Sequence, residues 1–323
     1  MHRLATIMTM LALLTPALVP AQEPQCAMPI PDATAACNTA VDAVRAFYPL
    51  AGMIISGGNP VLGTAGSLGG LGHVMLTARV NGIKAALPDP TAANQSPVPS
   101  SFHGAVPAPM VEGALGLLKG VGGGGGLLSV DLLASALILP TGIQNLTVDS
   151  NATHISDAAL GLGFGARVGV LKGSFPIPSV SVSWMHRSLP RLRYGTLGPT
   201  FGTGDQFEFT MDLDADNYRA VAGWNLALVD LAAGIGIDRY KSEDTNIRFH
   251  DGATPTSVRT VVINPTNTRA LVFVNGGLSL AAVQLVGELG LQAGKDQSYA
   301  TSFSDFDPKA AHVFGGISVR FGF

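Results

Sequence analysis

The last residues of the chain alternate between two kinds of side chain. Counting back from Phe323, every second position is apolar or glycine, and the positions between them are mostly polar or small. A period of two is typical of a β-strand that turns one face to an apolar environment. We therefore predict a final strand over residues 311–323, with an apolar face that includes Val313, Ile317, Val319, Phe321 and Phe323.

Alternating segments of the same kind recur from residue 73 onward. The first places Val74 and Leu76 on one face, and Thr77 and Arg79 on the other. The pattern predicts further strands within residues 128–138, 160–170, 180–187, 207–224, 231–237, 270–274 and 283–292. Residues 111–119 fit a strand or a short helix equally well, and the proline-rich residues 87–107 are expected to form a long loop.

The apolar positions change phase within residues 207–224. Phe207 and Phe209 stand at odd positions, whereas Tyr218 and Trp224 stand at even positions. A shift of one residue moves every side chain to the opposite face of a strand. We therefore expect a β-bulge near residues 215–217, or two separate strands.

Long polar loops alternate with tight turns rich in glycine or asparagine between these segments. Transmembrane barrels have this arrangement, with long loops at one end and short turns at the other. The sequence predicts an all-β fold, a closed antiparallel transmembrane β-barrel of about ten strands, with eight to twelve left open by the ambiguous segments. A water-soluble sandwich would bury its apolar faces equally well.

Composition favours the barrel over a water-soluble domain. The chain is 47% hydrophobic and only 13% charged, whereas soluble domains have about 25% charged residues. Runs of about 18 apolar residues, which would predict transmembrane helices, do not recur after the amino terminus. The net charge of -3 and the lack of a basic run give no sign of a nucleic-acid partner. We therefore expect the barrel to be surrounded by membrane lipid.

The amino-terminal residues predict export. Residues 1–21 have a short polar head with Arg3, an apolar core and small residues before Gln22, as in a secretory signal peptide. We expect residues 22–72 to form a periplasmic segment and residues 73–323 to form the barrel. Cys26 and Cys37 lie close together in an oxidising compartment, so we predict a structural disulfide between them.

The segment ahead of the barrel has two parts. Residues 32–50 show helical spacing, and Pro49 is expected to end the helix. Residues 51–72 are rich in glycine and nearly uncharged, so they cannot form a core of their own. We predict either a linker or a plug folded into the lumen, with Asn59, Pro60 and Gly63 as plug residues.

The terminal strand, with Phe321 and Phe323, resembles the closing strand of Gram-negative outer-membrane β-barrels. The resemblance implies an outer-membrane location and implies that the terminal aromatic residues are recognised by the barrel-assembly machinery after delivery by periplasmic chaperones. Residues 51–72 also distantly resemble the amino-terminal hatch of the long-chain fatty-acid transporter family. That resemblance covers some twenty residues and implies a small hydrophobic ligand.

Two neighbouring segments carry opposite charges on their polar faces. Opposite charges on adjacent strands stabilise each other, and the lipid-facing side would disfavour them. We expect either a structural ion-pair network in the lumen or a selectivity site. Its basic members are Arg187, Arg191 and Arg193, and its acidic members are Glu208, Asp212 and Asp214.

Candidate chemistry is sparse in the sequence. The histidines are scattered singly, and none lies in a recognisable nucleophile motif. We therefore predict that the chain is not an enzyme and has no cofactor or metal. The expected function is a gated passage for small or hydrophobic solutes. The alternative is a structural or surface-interaction barrel that acts through its loops without transport.

Overall fold

The computed structural model of the protein describes residues 23–121, 126–140, 145–149, 154–155, 158–197, 204–252, 257–280 and 283–322. The predicted signal peptide, residues 1–21, and the predicted assembly residue Phe323 lie outside the described residues. No helix in the described part of the chain is long and apolar enough to cross a membrane.

The described residues form one α-helix, α1 (Pro31–Ser56), preceded by a 3₁₀ turn at Pro24–Cys26. The strands are β1 (Val74–Pro88), β2 (Ser100–Leu118), β3 (Val130–Pro140), β4 (Leu146–Val148), β5 (His154–Ile155), β6 (Ala158–Leu171), β7 (Ser179–Tyr194), β8 (Gln206–Leu226), β9 (Val229–Lys241), β10 (Thr245–His250), β11 (Val258–Ile263), β12 (Thr266–Leu280), β13 (Val283–Gln292) and β14 (His312–Gly322).

Ten of these described strands close into an antiparallel barrel, which confirms the predicted fold class. The wall runs β1–β2–β3–β6–β7–β8–β9–β12–β13–β14. Strand β14 returns to β1 in a register from Met75↔Gly322 to Ile83↔Phe314, so the wall has no free edge. Short turns such as the one between β8 and β9 lie at one end, the turn end, and longer connections lie at the other, the loop end.

The faces of the strands follow the predicted alternation. On β1 the outward residues Val74, Leu76 and Val80 are exposed, while Thr77 and Arg79 are buried in the interior. Apolar side chains therefore form an outer belt, as lipid contact requires. Residues 111–118 belong to β2 and not to a helix, and β2 starts at Ser100, so part of the proline-rich stretch is strand rather than loop.

The predicted bulge near residues 215–217 is wrong. Strand β8 pairs with β9 without a register shift, from Asp214↔Lys241 to Leu226↔Val229. The apolar pattern changes phase because the surroundings change along the strand. Towards the turn end the outward side meets lipid, and towards the loop end the inward side meets the apolar helix α1.

A register shift lies instead in the neighbouring strand β7, between Leu189 and Leu192. Two residues, Pro190 and Arg191, face a single position of β8 there, which is the arrangement of a β-bulge. Proline lacks the N–H group that a wall strand needs, and bulges are positions where its absence is tolerated.

Helix α1 continues through Pro49 to Ser56, which corrects the predicted end of the helix. Proline leaves the carbonyl four residues earlier without its helical donor. That carbonyl belongs to Arg45, and it accepts hydrogen bonds from Gln297 Nε2 at 2.8 Å and from the Tyr299 hydroxyl at 3.2 Å. The connection between β13 and β14 thus supplies the missing donors.

Helix α1, in the segment that precedes the barrel, packs inside the barrel wall. Most residues of α1 are buried, and the helix packs against β1, β7, β8 and β10. At the loop end, Gln25 Nε2 donates to the Val262 carbonyl of β11 at 2.7 Å. The predicted disulfide between Cys26 and Cys37 forms and ties the 3₁₀ turn to α1.

Candidate functional site in the barrel lumen

Three arginines of the wall bind the carboxyl-terminal end of α1. Arg187 Nη1 donates to the Ser56 carbonyl at 2.7 Å, and Arg219 donates to the carbonyls of Gly57 and Gly58, both at 2.8 Å. Arg79 Nη1 donates to the carbonyl of the next residue, Asn59, at 3.0 Å. The last carbonyls of a helix lack intrahelical donors and carry partial negative charge, so cations are stabilising there.

A carboxylate of β13 binds the same residues through their amides. Glu288 accepts hydrogen bonds from the backbone N–H groups of Gly58 at 3.1 Å and Asn59 at 2.8 Å. Asn275 Nδ2 donates to the same carboxylate at 2.7 Å, and Asn59 Nδ2 donates to Asn275 Oδ1 at 2.8 Å. The chain at Gly57–Asn59 is therefore held from both sides.

The arginines are paired with acids inside the wall. Glu112 lies 3.3 Å from Arg79 Nη1 and 2.9 Å from Arg187 Nη2, and Asp238 lies 2.7 Å from Arg219 Nη1. All five side chains are buried. Removing one member of such a buried pair would leave an uncompensated charge. The wall is thus charged but nearly balanced where it meets the end of α1.

We call residues 57–72, which continue from α1 through the lumen to the turn end, the gate segment, after the role that we propose for them. The Leu62 carbonyl accepts from Arg320 Nη1 at 2.8 Å, and the Leu68 N–H donates to Asp131 at 3.0 Å. Asp131 also forms a buried ion pair with Arg167 at 2.8 Å. Polar side chains of the wall therefore follow the gate segment along its length.

The predicted plug residues all lie in the gate segment. Asn59 is buried, and its Oδ1 accepts from the Val61 N–H at 3.1 Å, which makes a local turn that includes Pro60. Gly63 has a φ of +74°, and a Cβ there would meet Val286 and Gln284 of β13. A residue without a side chain is required by both the backbone conformation and the close approach.

Towards the loop end the lumen is filled by apolar packing on α1. Phe47 lies 5.4 Å from Phe209 and 5.6 Å from Tyr194 between ring centroids, and Tyr48 lies 6.4 Å from Tyr240. These rings are buried together with Met53 and Ile55. Helix α1 is therefore anchored by hydrophobic burial, which is proportional to area rather than dependent on direction.

A cavity of about 230 Å³ lies beside α1 at the loop end. Ala46 and Leu50 of α1 and Ala85 of β1 form part of its lining, together with Asp305 and His312. The small side chains leave room for a partly apolar molecule between the helix and the wall.

A loop covers the loop end of this cavity and is held by two aspartates. Asp42 of α1 accepts from the N–H groups of Ala300 and Thr301 at 2.7 and 2.8 Å, and burial raises its pKa. Asp305 accepts from the N–H and hydroxyl of Ser100, which lowers the pKa of the Asp305 carboxyl. Burial also raises the pKa of Tyr299 to about 12.

The predicted charge network does not assemble as a unit. Arg187 lies in the lumen, but its partner is Glu112 and not an acid of β8. The bulge in β7 reverses the alternation, so Arg191 is exposed, and Arg193 donates from its outer position to Thr147 Oγ1 at 3.4 Å. The prediction carried the alternation of β7 unchanged past Pro190, so it placed both residues on the wrong face of the strand.

The predicted acids of β8 lie on its outward positions, because the strand has no bulge. Glu208 pairs with Arg248 of β10 at 2.5 Å, and Asp214 lies 3.8 Å from Lys241 of β9. Asp212 accepts from the Ser242 hydroxyl at 2.8 Å. These groups hold loop-end strands together outside the lumen.

Sequence reasoning missed most of the lumen site. Glu112 lies in the segment that fitted a helix or a strand, and Arg219 and Asp238 were not singled out. Strand alternation places a charge at an inward position in each case, because the neighbouring residues Val111, Tyr218 and Ile237 are apolar and face outward. That alternation was the available signal.

The predicted assembly residue Phe321 lies on the outward set of β14, half-buried, between Leu76 of β1 and Val283 of β13. Within the described residues, no group of three or more His, Cys, Asp or Glu side chains is arranged to hold a metal ion.

The closed wall with its outward apolar belt is that of a Gram-negative outer-membrane barrel, and the protein is located in the outer membrane. Short turns of such barrels lie in the periplasm and long loops lie outside the cell. The turn end is therefore periplasmic.

Solved outer-membrane barrels are similar to this chain in fold. The outer-membrane protease OmpT from Escherichia coli is 10% identical with a TM-score of 0.39, covering 78% of this chain and 95% of that chain. The translocator domain of the autotransporter NalP from Neisseria meningitidis is 10% identical with a TM-score of 0.39, covering 77% and 87%. A mutant of TodX, a monoaromatic hydrocarbon channel, is 9% identical with a TM-score of 0.27, covering 77% and 89%. Neither a protein-family model nor the sequence of a curated protein matches the chain.

The prediction that the chain is not an enzyme is contradicted by the protease among these barrels. The scattering of the histidines along the chain did not support that prediction, because strand pairing brings distant residues together, as it does for His186 and Asp216. At 10% identity the likeness shows the fold alone and assigns no reaction to this chain.

Proposed function

We propose that the protein is a gated passage for small, partly apolar solutes, and that the gate segment, residues 57–72, is the moving part. The observation that carries the proposal is the way this segment is held. Wall side chains bind its backbone through hydrogen bonds from Arg79, Arg219 and Arg320 and to Glu288. Each such bond to a charged side chain contributes about 1.5–3 kcal/mol net, and water that enters the lumen can replace it.

Helix α1 stays in place in this proposal. Withdrawing it would expose Phe47, Tyr48 and Met53 among many other buried side chains. Each large apolar side chain contributes about 1.5–3 kcal/mol when buried. Movement is therefore confined to the gate segment, which is rich in glycine and begins at Gly57, where φ is +59°.

The cavity beside α1 gives the solute its entry from the outside. Its lining combines Leu50, Ala85 and Ala46 with the polar groups of Asp305 and His312. A small solute with an apolar part fits such a surface, since pockets for small molecules combine apolar walls with a few polar groups. The solute would pass from this cavity along the wall of β1 to the polar zone that the gate segment fills.

A reversible cross-link tests the gate. A Cβ at Gly66 would lie 3.5 Å from Cβ of Ser179 on β7, within the range of about 3.5–4.5 Å found in disulfides. The double variant Gly66→Cys/Ser179→Cys, refolded into planar bilayers and liposomes, should show low conductance and slow solute uptake when oxidised. Reduction should restore both to the wild-type level.

Each single cysteine variant, treated with the same oxidant and reductant, controls for effects on Cys26–Cys37. If the oxidised and the reduced double variant both conduct at the wild-type level, movement of the gate segment does not control the passage.

A barrel that conducts in neither state would support the alternative, a non-transporting barrel that acts through its loops. The tight packing of α1 on Tyr194 and Phe209 is the observation that favours this alternative.

A further inference from the structure

Five arginines in the described part of the chain are buried, and one of them lacks an acid. The other four lie 2.7–3.3 Å from a carboxylate, namely Arg79, Arg167, Arg187 and Arg219. Arg269, on the inward face of β12, is 2% exposed and forms no ion pair with a described residue. A buried charge without a partner is strongly destabilising, and arginine cannot remove the charge by losing its proton.

The guanidinium of Arg269 also has unused hydrogen-bond donors. Its Nη1 donates to the Ala293 carbonyl at 3.2 Å, but its Nε and Nη2 are buried and have no partner among the described residues. The N–H groups of Nε and Nη2 point in parallel from one edge of the guanidinium plane, and this edge binds the two oxygens of a carboxylate. Arg269 is therefore one half of a bidentate pair whose acid the described residues do not supply.

The acid opposite Arg269 on the next strand is already engaged. Asp238 of β9 is the direct cross-strand neighbour of Arg269. Its Oδ1 lies 2.7 Å from both Arg219 Nη1 and Asn217 Nδ2. Its Oδ2 accepts from the Tyr240 hydroxyl at 2.9 Å. Asp238 thus holds β8 and β9 side chains and leaves the free edge of Arg269 unfilled.

A second side chain without partners lies next along the same face. Asn267 is two residues earlier on β12, is also inward and is 2% exposed. Neither its amide nitrogen nor its amide oxygen has a partner within the described residues, although buried amides are nearly always hydrogen-bonded. The two positions are about 7 Å apart along the strand, so a ligand can bridge side chains that do not touch each other. Water satisfies hydrogen bonds, but only an anion balances the charge of Arg269.

The cavity beside α1 lies next to these two residues. His312 forms part of the lining of the cavity and is close enough to Arg269 for the two side chains to interact electrostatically. Tyr299, in the loop that covers the cavity, interacts with Arg269 in the same way. A molecule that binds Arg269 from this side would therefore place its remaining atoms against the apolar lining from α1.

We propose that Arg269 and Asn267 bind the carboxylate of a small solute whose apolar part lies in the cavity beside α1. The free edge of Arg269 binds both carboxylate oxygens, and Asn267 Nδ2 donates to one of them. The acids of the cavity lining, Asp305 and Asp307, are exposed, so solvent screens their repulsion of an anion. The role of this subsite in transport rests on the proposed passage, whereas the binding of the carboxylate does not.

Binding is tested with benzoate and with benzamide, which has the same ring and nearly the same shape but no charge. Isothermal titration calorimetry of the refolded full barrel, in detergent and chloride-free buffer, should show at least about 30-fold tighter binding of benzoate, because only benzoate makes the bidentate charged pair. Equal affinities, or no binding of benzoate, overturn the proposal. Complete displacement of benzoate by an equal concentration of chloride would mean a site for inorganic anions and would overturn the assignment to a carboxylate solute.

Variants of the two residues locate the binding. Arg269→Gln should weaken benzoate binding about 30-fold or more and leave benzamide binding unchanged, and Arg269→Lys should recover only part of the loss because an ammonium group has no fork. Asn267→Ala should weaken benzoate binding about three- to tenfold. Arg239→Gln is the matched control, because Arg239 is exposed on β9 opposite Thr268, the residue between the two. Equal weakening in Arg239→Gln would attribute the effect to overall charge and overturn the site.

The stability of the barrel without ligand separates a binding role of Arg269 from a structural one. Arg269→Met removes a buried charge that lacks an acid, so the variant should unfold at a higher urea concentration than the wild type. Benzoate should raise the unfolding midpoint of the wild type and not that of the variant. A lower midpoint for the variant without ligand would show that Arg269 is a structural residue and would overturn the proposal.

Uptake into liposomes distinguishes failure of this subsite from failure of the passage. Benzoate that binds to the wild type but does not enter liposomes supports the subsite and contradicts the passage. Uptake of benzoate and benzamide at equal rates, by both the wild type and Arg269→Gln, supports the passage and overturns the carboxylate subsite.

Discussion

The two halves of the lumen hold their contents by different means. Towards the turn end, Arg79, Arg219 and Glu288 bind backbone groups of the gate segment through hydrogen bonds. Towards the loop end, Phe209 and Tyr194 pack on α1 through apolar surface. We call these the polar zone and the apolar zone.

The difference is the physical basis for proposing movement in the polar zone and not in the apolar zone. Polar contacts in the lumen can be exchanged for contacts with water, whereas buried apolar area has no such substitute. Strand β8 crosses both zones with an uninterrupted alternation of its side chains, with Arg219 inward in the polar zone and Phe209 inward in the apolar zone. The zones therefore come from the choice of side chains and not from a change in the backbone.

The largest expected effect is in the apolar zone. Phe209→Ala should lower the free energy of unfolding by about 3–5 kcal/mol, because it removes a buried ring and leaves a cavity against Phe47. Equilibrium unfolding of the refolded barrel in urea would measure it. Conductance should stay at the wild-type level.

Phe164→Ala is the control for this change, because Phe164 faces lipid and is 59% exposed in the protein. Its free energy of unfolding should fall by only about 1.5–3 kcal/mol, the free energy of moving the ring from water to an apolar environment, because lipid fills the space that the ring leaves. Equal costs for the two variants would mean that the apolar zone is loosely packed and would remove its distinction from the polar zone.

The polar zone should respond to Glu288→Gln with a smaller loss and a change in function. The amide keeps the volume but turns one donor towards the N–H groups of Gly58 and Asn59. Leaving such a donor unsatisfied costs about 1–3 kcal/mol, which corresponds to roughly 5- to 150-fold faster local opening. Hydrogen exchange at these two amides should rise by that factor, and conductance should rise with it.

Glu243→Gln, at an exposed position of the loop end, is the matched control and should change neither quantity. If Glu288→Gln instead lowers global stability while exchange of Gly58 stays as slow as that of α1, the gate segment is part of the rigid core.

Strand alternation made the barrel predictable from the sequence, but it did not reveal the two zones. The change of phase between Phe209 and Tyr218 in β8 was taken for a bulge, although it marks the passage from the apolar zone to the lipid belt. A bulge at Pro190 in β7 reverses the alternation, and the prediction therefore placed Arg191 on the wrong face. Periodicity predicts the faces of a strand correctly when each face meets one environment along its whole length. Strand β8 instead meets different environments towards its two ends.

The lumen site depended on contacts between residues far apart in the chain. Arg187 binds Glu112 across 75 positions, and the carbonyl freed by Pro49 finds Gln297 across 252. Local spacing contains no information on such partners. The sequence could indicate that Arg187 faces the lumen, but not which acid it meets or that it also binds the end of α1.

The smallest expected effect concerns the loop over the apolar zone, whose two aspartate contacts respond to pH in opposite directions. The hydrogen bonds from Ser100 lower the pKa of Asp305 below 3.8. The ionised Asp305 carboxyl therefore stabilises the loop fully above pH 3.8, and this stabilisation is lost as pH falls through the lowered value. Burial raises the pKa of Asp42 above 3.8, so ionisation of Asp42 opposes folding as pH rises through the raised value. Asp305→Asn should therefore speed hydrogen exchange of the Ser100 amide at pH 6, and the difference from wild type should vanish only when pH falls below the lowered pKa of Asp305. The unfolding free energy should stay unchanged, because Asp305 is exposed and touches neither zone directly. A measurable loss of global stability would show that the loop is part of the apolar zone rather than a cover over it.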